Sequence, residues 1–104
     1  MLNTRHASAG ALLTVDLDAI RANYRLLREK LGGTACAAVV KADAYGLGAD
    51  RVAPALAADG CTNFFTAHLD EAIALRPNLP AEAEVFVLHG SPAGVEADCV
   101  EHRV

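Results

Sequence analysis

The amino-acid sequence predicts an α/β fold of about three βα units around a parallel sheet. Three short runs rich in apolar residues, at 35–41, 62–67 and 83–88, are the strand candidates. The first reads Ala-Cys-Ala-Ala-Val-Val before its terminal lysine, as expected of a strand that is buried on both faces. Segments with helical periodicity separate the three runs, and their lengths suit the crossovers that join parallel strands.

The N-terminal part of the chain predicts a lead-in, a short strand and one amphipathic helix. Residues 1–11 are small and polar, which is typical of a loosely held terminus. Residues 12–17 suit a short strand, and Asp18 is the expected N-cap of the helix that follows. Apolar residues recur there at helical spacing until two glycines end the pattern. Tyr24 lies on the apolar face, so we interpret it as a packing residue.

The next helix is predicted from its proline and its terminal glycine. It spans about Asp50–Asp59, and Pro54 requires it to start or to bend near Asp50, because proline is tolerated only in a first turn. Gly60 is the expected C′ residue. Near the end of the chain, residues 93–104 predict the start of a further helix, with no strand after it.

Polar residues follow the second strand candidate and open a helix over about Leu69–Arg76. This helix has to stop before Pro77. Asp70 and Glu71 stand in its first turn, where carboxylates complement the helix dipole, and we favour this role over acid–base chemistry for Glu71. His68 is the one other polar residue at the carboxyl end of this strand, and we expect it to be structural or merely exposed.

Lys41 ends the first strand candidate. The carboxyl ends of parallel strands are where catalytic side chains collect. Desolvation beside Val39 and Val40 favours loss of the amine proton, so that Lys41 can form a Schiff base with a carbonyl compound. The alternative is a lysine that simply reaches solvent. Because side chains alternate along a strand, Lys41 shares a face with Ala37 and Val39, and small Ala37 leaves room for a ring system.

The turn after Lys41 reads Ala-Asp-Ala-Tyr-Gly-Leu-Gly and leads into a helix. Gly46 and Gly48 permit backbone conformations that a Cβ would block, and they allow a ligand to approach closely. We predict that N–H groups of this loop form a phosphate cradle, to which Tyr45 adds a hydroxyl donor. A lone G-x-G is a weak signal, whereas a buried strand, a lysine, a tyrosine and G-x-G in this order are much more specific.

The stretch Val40–Gly48, Val-Lys-Ala-Asp-Ala-Tyr-Gly-Leu-Gly, closely resembles the pyridoxal-phosphate attachment signature of alanine racemases. The resemblance extends to residues 14–23, to residues 64–76 and to residues 85–90. Asp43 and Leu47 stand where many family members have Asn and His. The resemblance implies a partial (β/α)8 TIM-type barrel, comprising about the first three βα units of a barrel that binds pyridoxal 5'-phosphate (PLP).

The resemblance also implies roles for two residues. Lys41 would be catalytic and would carry PLP as an internal aldimine, and Tyr45 would bind the cofactor phosphate. The implied activity is a PLP-dependent amino-acid racemase that interconverts L- and D-alanine by removing and returning the Cα proton, although serine or a broader substrate range stays open. The second acid/base group would be a tyrosine from the C-terminal domain of a partner subunit, neither Tyr24 nor Tyr45. A homodimer is therefore implied for the full-length protein.

The length of 104 residues is well short of a complete barrel, which needs roughly 250 residues. We therefore expect residues 1–11 to be a lead-in and residues 12–104 to be the incomplete N-terminal part of the barrel domain of a longer enzyme, inactive by itself. Three alternatives remain open. They are an independent domain of this size, a non-catalytic protein that binds the same cofactor, and a truncated fragment that holds no cofactor.

Composition argues against several functional classes. Hydrophobic residues make up 53% of the chain and charged residues 21%, and the net charge is −4, with no basic patch for nucleic acid. No apolar stretch is long enough for a bilayer and no signal peptide is evident, so a cytoplasmic location without membrane contact is expected. Three cysteines without a C-x-x-C pair and four scattered histidines favour neither disulfides nor a metal centre. Cys36 is expected to be a small buried residue of the first strand.

Overall fold

The computed structural model describes residues 8–104, so the predicted lead-in over residues 1–11 lies mostly outside the described range. Within that range no helix is long and apolar enough to cross a membrane. A short helical turn, Lys41–Tyr45, follows the first strand, and a 3-10 turn, Arg76–Asn78, follows the third helix. In chain order the other elements are α1 (Leu17–Leu31), β1 (Ala38–Val39), α2 (Ala49–Ala58), β2 (Asn63–Thr66), α3 (Leu69–Leu75), β3 (Glu84–Val87) and α4 (Glu96–His102).

The three strands form one parallel sheet in the order β1-β2-β3. In the central row of the sheet, Phe64 lies between Ala38 and Val85. α2 joins β1 to β2, and α3 joins β2 to β3, so each connection contains a helix, as parallel neighbours require. The predicted α/β fold with three βα units is confirmed.

The helices cover one face of the sheet and leave the other face bare. Phe64 is fully buried on the covered face, and Val85 beside it is 3% exposed. On the opposite face Val39 and Phe86 are 43% and 41% exposed, and the ring of Phe86 stacks on that of Phe65 with centroids 4.8 Å apart. Parallel sheets are normally buried on both faces. The face that alternation assigns to Val39 is therefore the one that this chain leaves uncovered.

Two predictions for the segment before α1 are wrong. Residues 12–16 form no strand, and none of the described strands pairs with them. The N-cap of α1 is Asp16, whose side chain accepts the N–H of Ala19 at 3.1 Å, and Asp18 lies inside the helix. Both aspartates are good capping residues by type, but only Asp16 has the extended backbone that aims its carboxylate at the first turn.

α1 packs through one aromatic residue and is tied to the end of α2 by charge. Tyr24 is 7% exposed, which confirms its packing role, and burial raises the pKa of its phenol. Arg21 and Arg25 approach the Asp59 carboxylate at 2.8 Å and 3.0 Å. The hydrogen bond from Arg21, opposed by burial and helped by the bond from Arg25, lowers the pKa of Asp59 to about 2. The ion pairs therefore hold α1 against α2 while Asp59 is ionised.

α2 begins at Ala49 and continues through its proline. The predicted start near Asp50 is confirmed, but Pro54 is the sixth helical residue and so lies beyond the first turn. Proline has no N–H, so the carbonyl of Asp50 loses its partner within the helix. Ala53 and Leu56 are buried on either side of the proline, and this packing holds the helix together in spite of the lost bond.

The end of α2 matches its prediction. Gly60 has φ +98° and follows the C-cap residue, so it is the C′ glycine expected from the sequence. Its N–H donates to the carbonyl of Ala57 at 3.0 Å, and the N–H of Cys61 donates to Leu56 at 3.1 Å. This pair of bonds is a Schellman motif, which satisfies the carbonyls at the helix end and turns the chain into β2.

The strands are shorter than the apolar runs that predict them. β1 spans Ala38–Val39, although the N–H of Val40 still donates to the carbonyl of Phe65 at 2.9 Å. Cys36 precedes β1 and is half-buried, so its predicted place inside a buried strand is wrong. The third helix stops at Leu75, ahead of Pro77 as predicted, and the 3-10 turn carries the proline.

Arg76 anchors the C-terminal helix, whose start the sequence predicts. The side chain is 7% exposed and donates to the carbonyls of Ala83 at 2.7 Å, His102 at 3.2 Å and Arg103 at 2.6 Å. Burial, together with the charge of Arg103, lowers the pKa of Arg76. The guanidinium thus satisfies carbonyls at the end of α4, where the helix dipole favours a cation.

Candidate functional site

Lys41 lies at the carboxyl edge of the sheet. The parallel ladder between β1 and β2 runs as far as Val40, and Lys41 is the next residue. Val39 lies on the bare face and Val40 is buried under the helices, and the backbone leaves the extended conformation at Val40, where ψ is 27°. Lys41 itself is half-buried. Lys41 therefore lies at the rim of the sheet, at the carboxyl end of β1.

The turn after Lys41 is left-handed. Ala42, Asp43, Ala44 and Tyr45 all have positive φ, between 52° and 57°. In this conformation the Cβ of an L-residue crowds the following carbonyl, at a cost of about 1–2 kcal/mol per residue. Four such residues in a row persist only where surrounding contacts hold them, and strain of this kind gathers at functional sites. The sequence contains no glycine at these positions, and nothing in it predicts this conformation.

Hydrogen bonds within the loop hold the left-handed turn. The N–H of Gly46 donates to the carbonyl of Ala42, and the N–H of Gly48 donates to that of Asp43, each at 2.9 Å. The Asp43 carboxylate accepts the N–H of Ala49 at 2.8 Å and thereby caps the start of α2. Gly46 and Gly48 have φ +86° and +97°, which a residue with a Cβ adopts only under strain.

These bonds correct the predicted phosphate cradle. The N–H groups of Gly46, Leu47 and Gly48 donate to carbonyls of the turn itself, so they are not free to bind a phosphate. The two glycines serve the backbone geometry of the turn instead. Tyr45, which is 62% exposed, remains the polar side chain of this loop that can reach a ligand.

Glu71 bridges two loops at the same edge. Its Oε2 accepts the N–H of Ala42 at 2.7 Å, and its Oε1 accepts those of Ala67 at 3.0 Å and His68 at 2.9 Å. Burial raises the pKa of the Glu71 carboxyl, but the three N–H donors outweigh it and the net pKa is lowered. Glu71 is therefore held as a carboxylate, unsuited to donating a proton. In the sequence, His68 and Glu71 stand three residues apart at a helix start, and this spacing indicates the bond from the His68 N–H to Glu71. The other two bonds of Glu71 have no such signal.

Two histidines extend the rim beside β2 and β3. His68 is exposed at the N-cap of α3, as expected, and its ring stacks on that of His89 with centroids 4.4 Å apart. Nδ1 of His89 lies 2.9 Å from the carbonyl of Ala67. Sequence reasoning missed this pair, because the two rings meet only through the pairing of β2 with β3. Across residues 8–104, no three His, Cys, Asp or Glu side chains lie close enough to hold a metal ion.

A lysine at the carboxyl edge of a parallel sheet built from βα units is an arrangement typical of barrel-type proteins. The family model for the N-terminal domain of alanine racemase matches residues 15–104. The chain belongs to the alanine racemase family, which confirms the resemblance seen in the sequence.

Individual relatives agree with the family assignment. The alanine racemase of Brucella ovis is 51% identical over 100 residues, which is 96% of this chain and 25% of the relative. A catabolic alanine racemase of Mesorhizobium japonicum is 54% identical over 94 residues, covering 90% of this chain and 25% of the relative. The chain thus spans about a quarter of the length of the curated relatives that it matches.

Solved structures share the fold. The alanine racemase of Bartonella henselae, solved with covalently bound pyridoxal phosphate, has a TM-score of 0.80 and 45% identity, over 84% of this chain and 24% of that one. Alanine racemase from Streptomyces coelicolor A3(2) has a TM-score of 0.80 and 46% identity, over 86% and 24%. The three-stranded parallel sheet is therefore the fold of the corresponding quarter of these racemases.

Proposed function

We propose that this chain is the N-terminal, cofactor-holding part of a PLP-dependent alanine racemase, an enzyme that interconverts L- and D-alanine. The observation that carries the proposal is the position of Lys41, directly after the parallel ladder at the carboxyl edge of the sheet. Support comes from the 45% identity to the Bartonella henselae racemase, which holds pyridoxal phosphate covalently. Because the chain spans only a quarter of its relatives, the activity is proposed for a longer protein that contains it.

The residues at this edge suit the cofactor. The amine of Lys41 is the group that an aldehyde requires, and the apolar face beside it, with Val39 and Phe65, suits an aromatic ring. The exposed hydroxyl of Tyr45 can donate a hydrogen bond to a phosphate. When bound, PLP withdraws electrons from the substrate Cα, so that the Cα proton can be removed. Lys41 would hold the cofactor, and Tyr45 would bind its phosphate.

Racemisation requires a proton to leave one face of Cα and to return on the other. Nζ of Lys41, when free, would take and return the proton on its own face of the substrate. The group for the opposite face is proposed to lie outside this chain, in a partner subunit of a homodimer. By itself the chain should therefore show no racemase activity. A cytoplasmic location stays a prediction.

The named relatives favour the racemase over the non-catalytic alternative, since those of Brucella ovis and Mesorhizobium japonicum are both alanine racemases. The third alternative, a fragment without cofactor, is distinguished by experiment.

The chain contains two lysines, Lys41 and Lys30, and Lys30 is exposed in the last turn of α1. Lys30 is thus an internal control for non-specific reaction with an aldehyde.

The test incubates the chain with limiting PLP, reduces it with borohydride, and quantifies the label at each lysine by mass spectrometry. We expect Lys41 to be labelled well before Lys30, and Lys41→Arg to leave only slow labelling at Lys30. Tyr45→Phe should raise the PLP concentration for half-labelling about tenfold, because a hydrogen bond to a charged phosphate is lost. Equal labelling of the two lysines, or none at Lys41, would contradict the proposal.

Activity is measured after joining the chain to the remaining three quarters of the Brucella ovis racemase, whose matching segment is 51% identical. Conversion of L-alanine to D-alanine by this chimera, abolished by Lys41→Arg, is the expected result. A chimera that folds and binds PLP at Lys41 but leaves alanine unchanged would favour the non-catalytic alternative.

A further inference from the structure

The carboxylate of Glu71 connects the two loops that flank the rim. Its two oxygens serve different loops, since Oε2 accepts from Ala42 while Oε1 accepts from Ala67 and His68. Ala42 is 29 residues away along the chain and immediately follows Lys41. The side chain is half-buried and receives three backbone donors. A carboxylate that only complemented the helix dipole would not need these three hydrogen bonds.

The contact with Ala42 acts on the backbone of Lys41. The N–H of Ala42 and the carbonyl of Lys41 belong to one peptide plane, which also contains the Cα of Lys41, so a bond to that N–H restrains the backbone that carries the lysine side chain. The same residue is the first of the four with positive φ. The left-handed turn therefore starts at a residue whose N–H is bonded to a different βα unit.

We propose that Glu71 is the positioning residue for Lys41, holding the lysine at the sheet edge by anchoring the N–H of Ala42 to the start of α3. The inference rests on the proposed function in so far as Lys41 is the cofactor lysine. If Glu71 acted only on the helix dipole, Asp70 would have an equal effect on Lys41. Asp70 stands in the same first turn, and its Oδ1 accepts the N–H of Glu71 at 3.0 Å, within its own helix.

Two matched variants separate the roles. Glu71→Gln and Asp70→Asn each remove one negative charge from the first turn of α3. Glutamine retains one acceptor oxygen, which satisfies more donors at Ala67 and His68 than at Ala42. Its NH2 group then faces the N–H of Ala42, so the loop after Lys41 loses its anchor. Glu71→Asp keeps the charge but is one methylene shorter, and it serves as a second test of reach should the glutamine variant unfold.

Amide hydrogen exchange, followed by NMR without cofactor, measures the anchor directly. In the unmodified chain the N–H of Ala42 should be protected. Glu71→Gln should speed its exchange about tenfold, the expected effect of losing a hydrogen bond to a charged group. Asp70→Asn should change it less than twofold. Amides in the middle of α1 report whether each variant is folded.

Borohydride trapping with PLP measures the effect on Lys41. Glu71→Gln should raise the PLP concentration for half-labelling of Lys41 about tenfold, with Lys30 unchanged, and Asp70→Asn should not. If unmodified Lys41 is labelled and Glu71→Gln leaves labelling and Ala42 exchange unchanged, the positioning role is overturned and the proposed function stands. Equal effects of the two variants would also overturn it, in favour of the dipole. If unmodified Lys41 is not labelled in preference to Lys30, the proposed function fails and a role for Glu71 toward the cofactor fails with it.

Discussion

Replacing Arg76 with lysine should release α4 from the rest of the chain. The guanidinium reaches three carbonyls, two of them at the end of α4, at distances of 2.6–3.2 Å. α4 contains no buried residue of its own, and beyond it only half-buried Val104 packs against the core. Arg76 is therefore the main tether of this helix.

The size of the effect follows from the hydrogen bonds. A lysine at position 76 keeps the charge, but its single nitrogen cannot span the carbonyls that the planar fork of Arg76 reaches, so we expect two of the three bonds to be lost. A hydrogen bond to a charged group contributes about 1.5–3 kcal/mol. Because neighbouring losses are not additive, the opening free energy of α4 should fall by about 2–4 kcal/mol, or roughly 30-fold to 700-fold in exchange rate.

Amide exchange within and just after α4 measures this opening. The N–H groups of Cys99 and Val104 donate within that segment at 3.1 Å and 2.9 Å and are suitable reporters. Arg51→Lys, at an exposed position of α2, is the control and should change stability by less than about 0.5 kcal/mol. If Arg76→Lys sped exchange at Cys99 less than threefold, Arg76 would not be the tether and the reasoning would be refuted.

Two further predictions concern backbone conformation and pH. Ala42→Gly should be neutral or stabilising in urea unfolding, because glycine avoids the cost of about 1–2 kcal/mol that a Cβ brings at positive φ, whereas Ala22→Gly in the exposed middle of α1 should cost about 1 kcal/mol. Equal losses at both positions would contradict the left-handed turn. Asp59, whose pKa the bond from Arg21 lowers to about 2, should stabilise the fold above its unfolded pKa of about 3.9 and lose that contribution as the pH falls towards 2. Asp59→Asn should therefore flatten the acid limb of the helical circular dichroism in that window, and an unchanged limb would count against the pairing with Arg21 and Arg25.

Local patterns predicted much of the fold. The three apolar runs became the three parallel strands, and Gly60 became the C′ residue of α2, because burial periodicity and positive φ at glycine are properties of short segments. The predictions failed where two residues of the same type competed, as Asp16 and Asp18 did for the N-cap of α1. Pro54 led to a start of α2 that is correct to within one residue, although the proline lies beyond the first turn, where packing in the core outweighs the local rule.

Part of the candidate site could likewise be predicted from neighbouring residues, and part could not. The strand, Lys41 and the turn that carries Tyr45 form one continuous segment of the sequence, so they could be predicted from it. The family resemblance rests on this segment. The left-handed conformation of that turn opposes the intrinsic preference of alanine and aspartate. Besides the bonds within the loop, one of its contacts comes from another βα unit, where the carboxylate of Glu71 accepts the N–H of Ala42.

The sequence by itself determined the order of strands and helices and the position of the lysine at a strand end, because these follow from the character of neighbouring residues. Only the tertiary structure decided that Glu71 meets the N–H of Ala42 and that His68 stacks on His89. The physical reason is that a parallel sheet gathers the carboxyl ends of separate strands at one edge. Residues more than twenty positions apart become neighbours there, and no local pattern records which of them will touch.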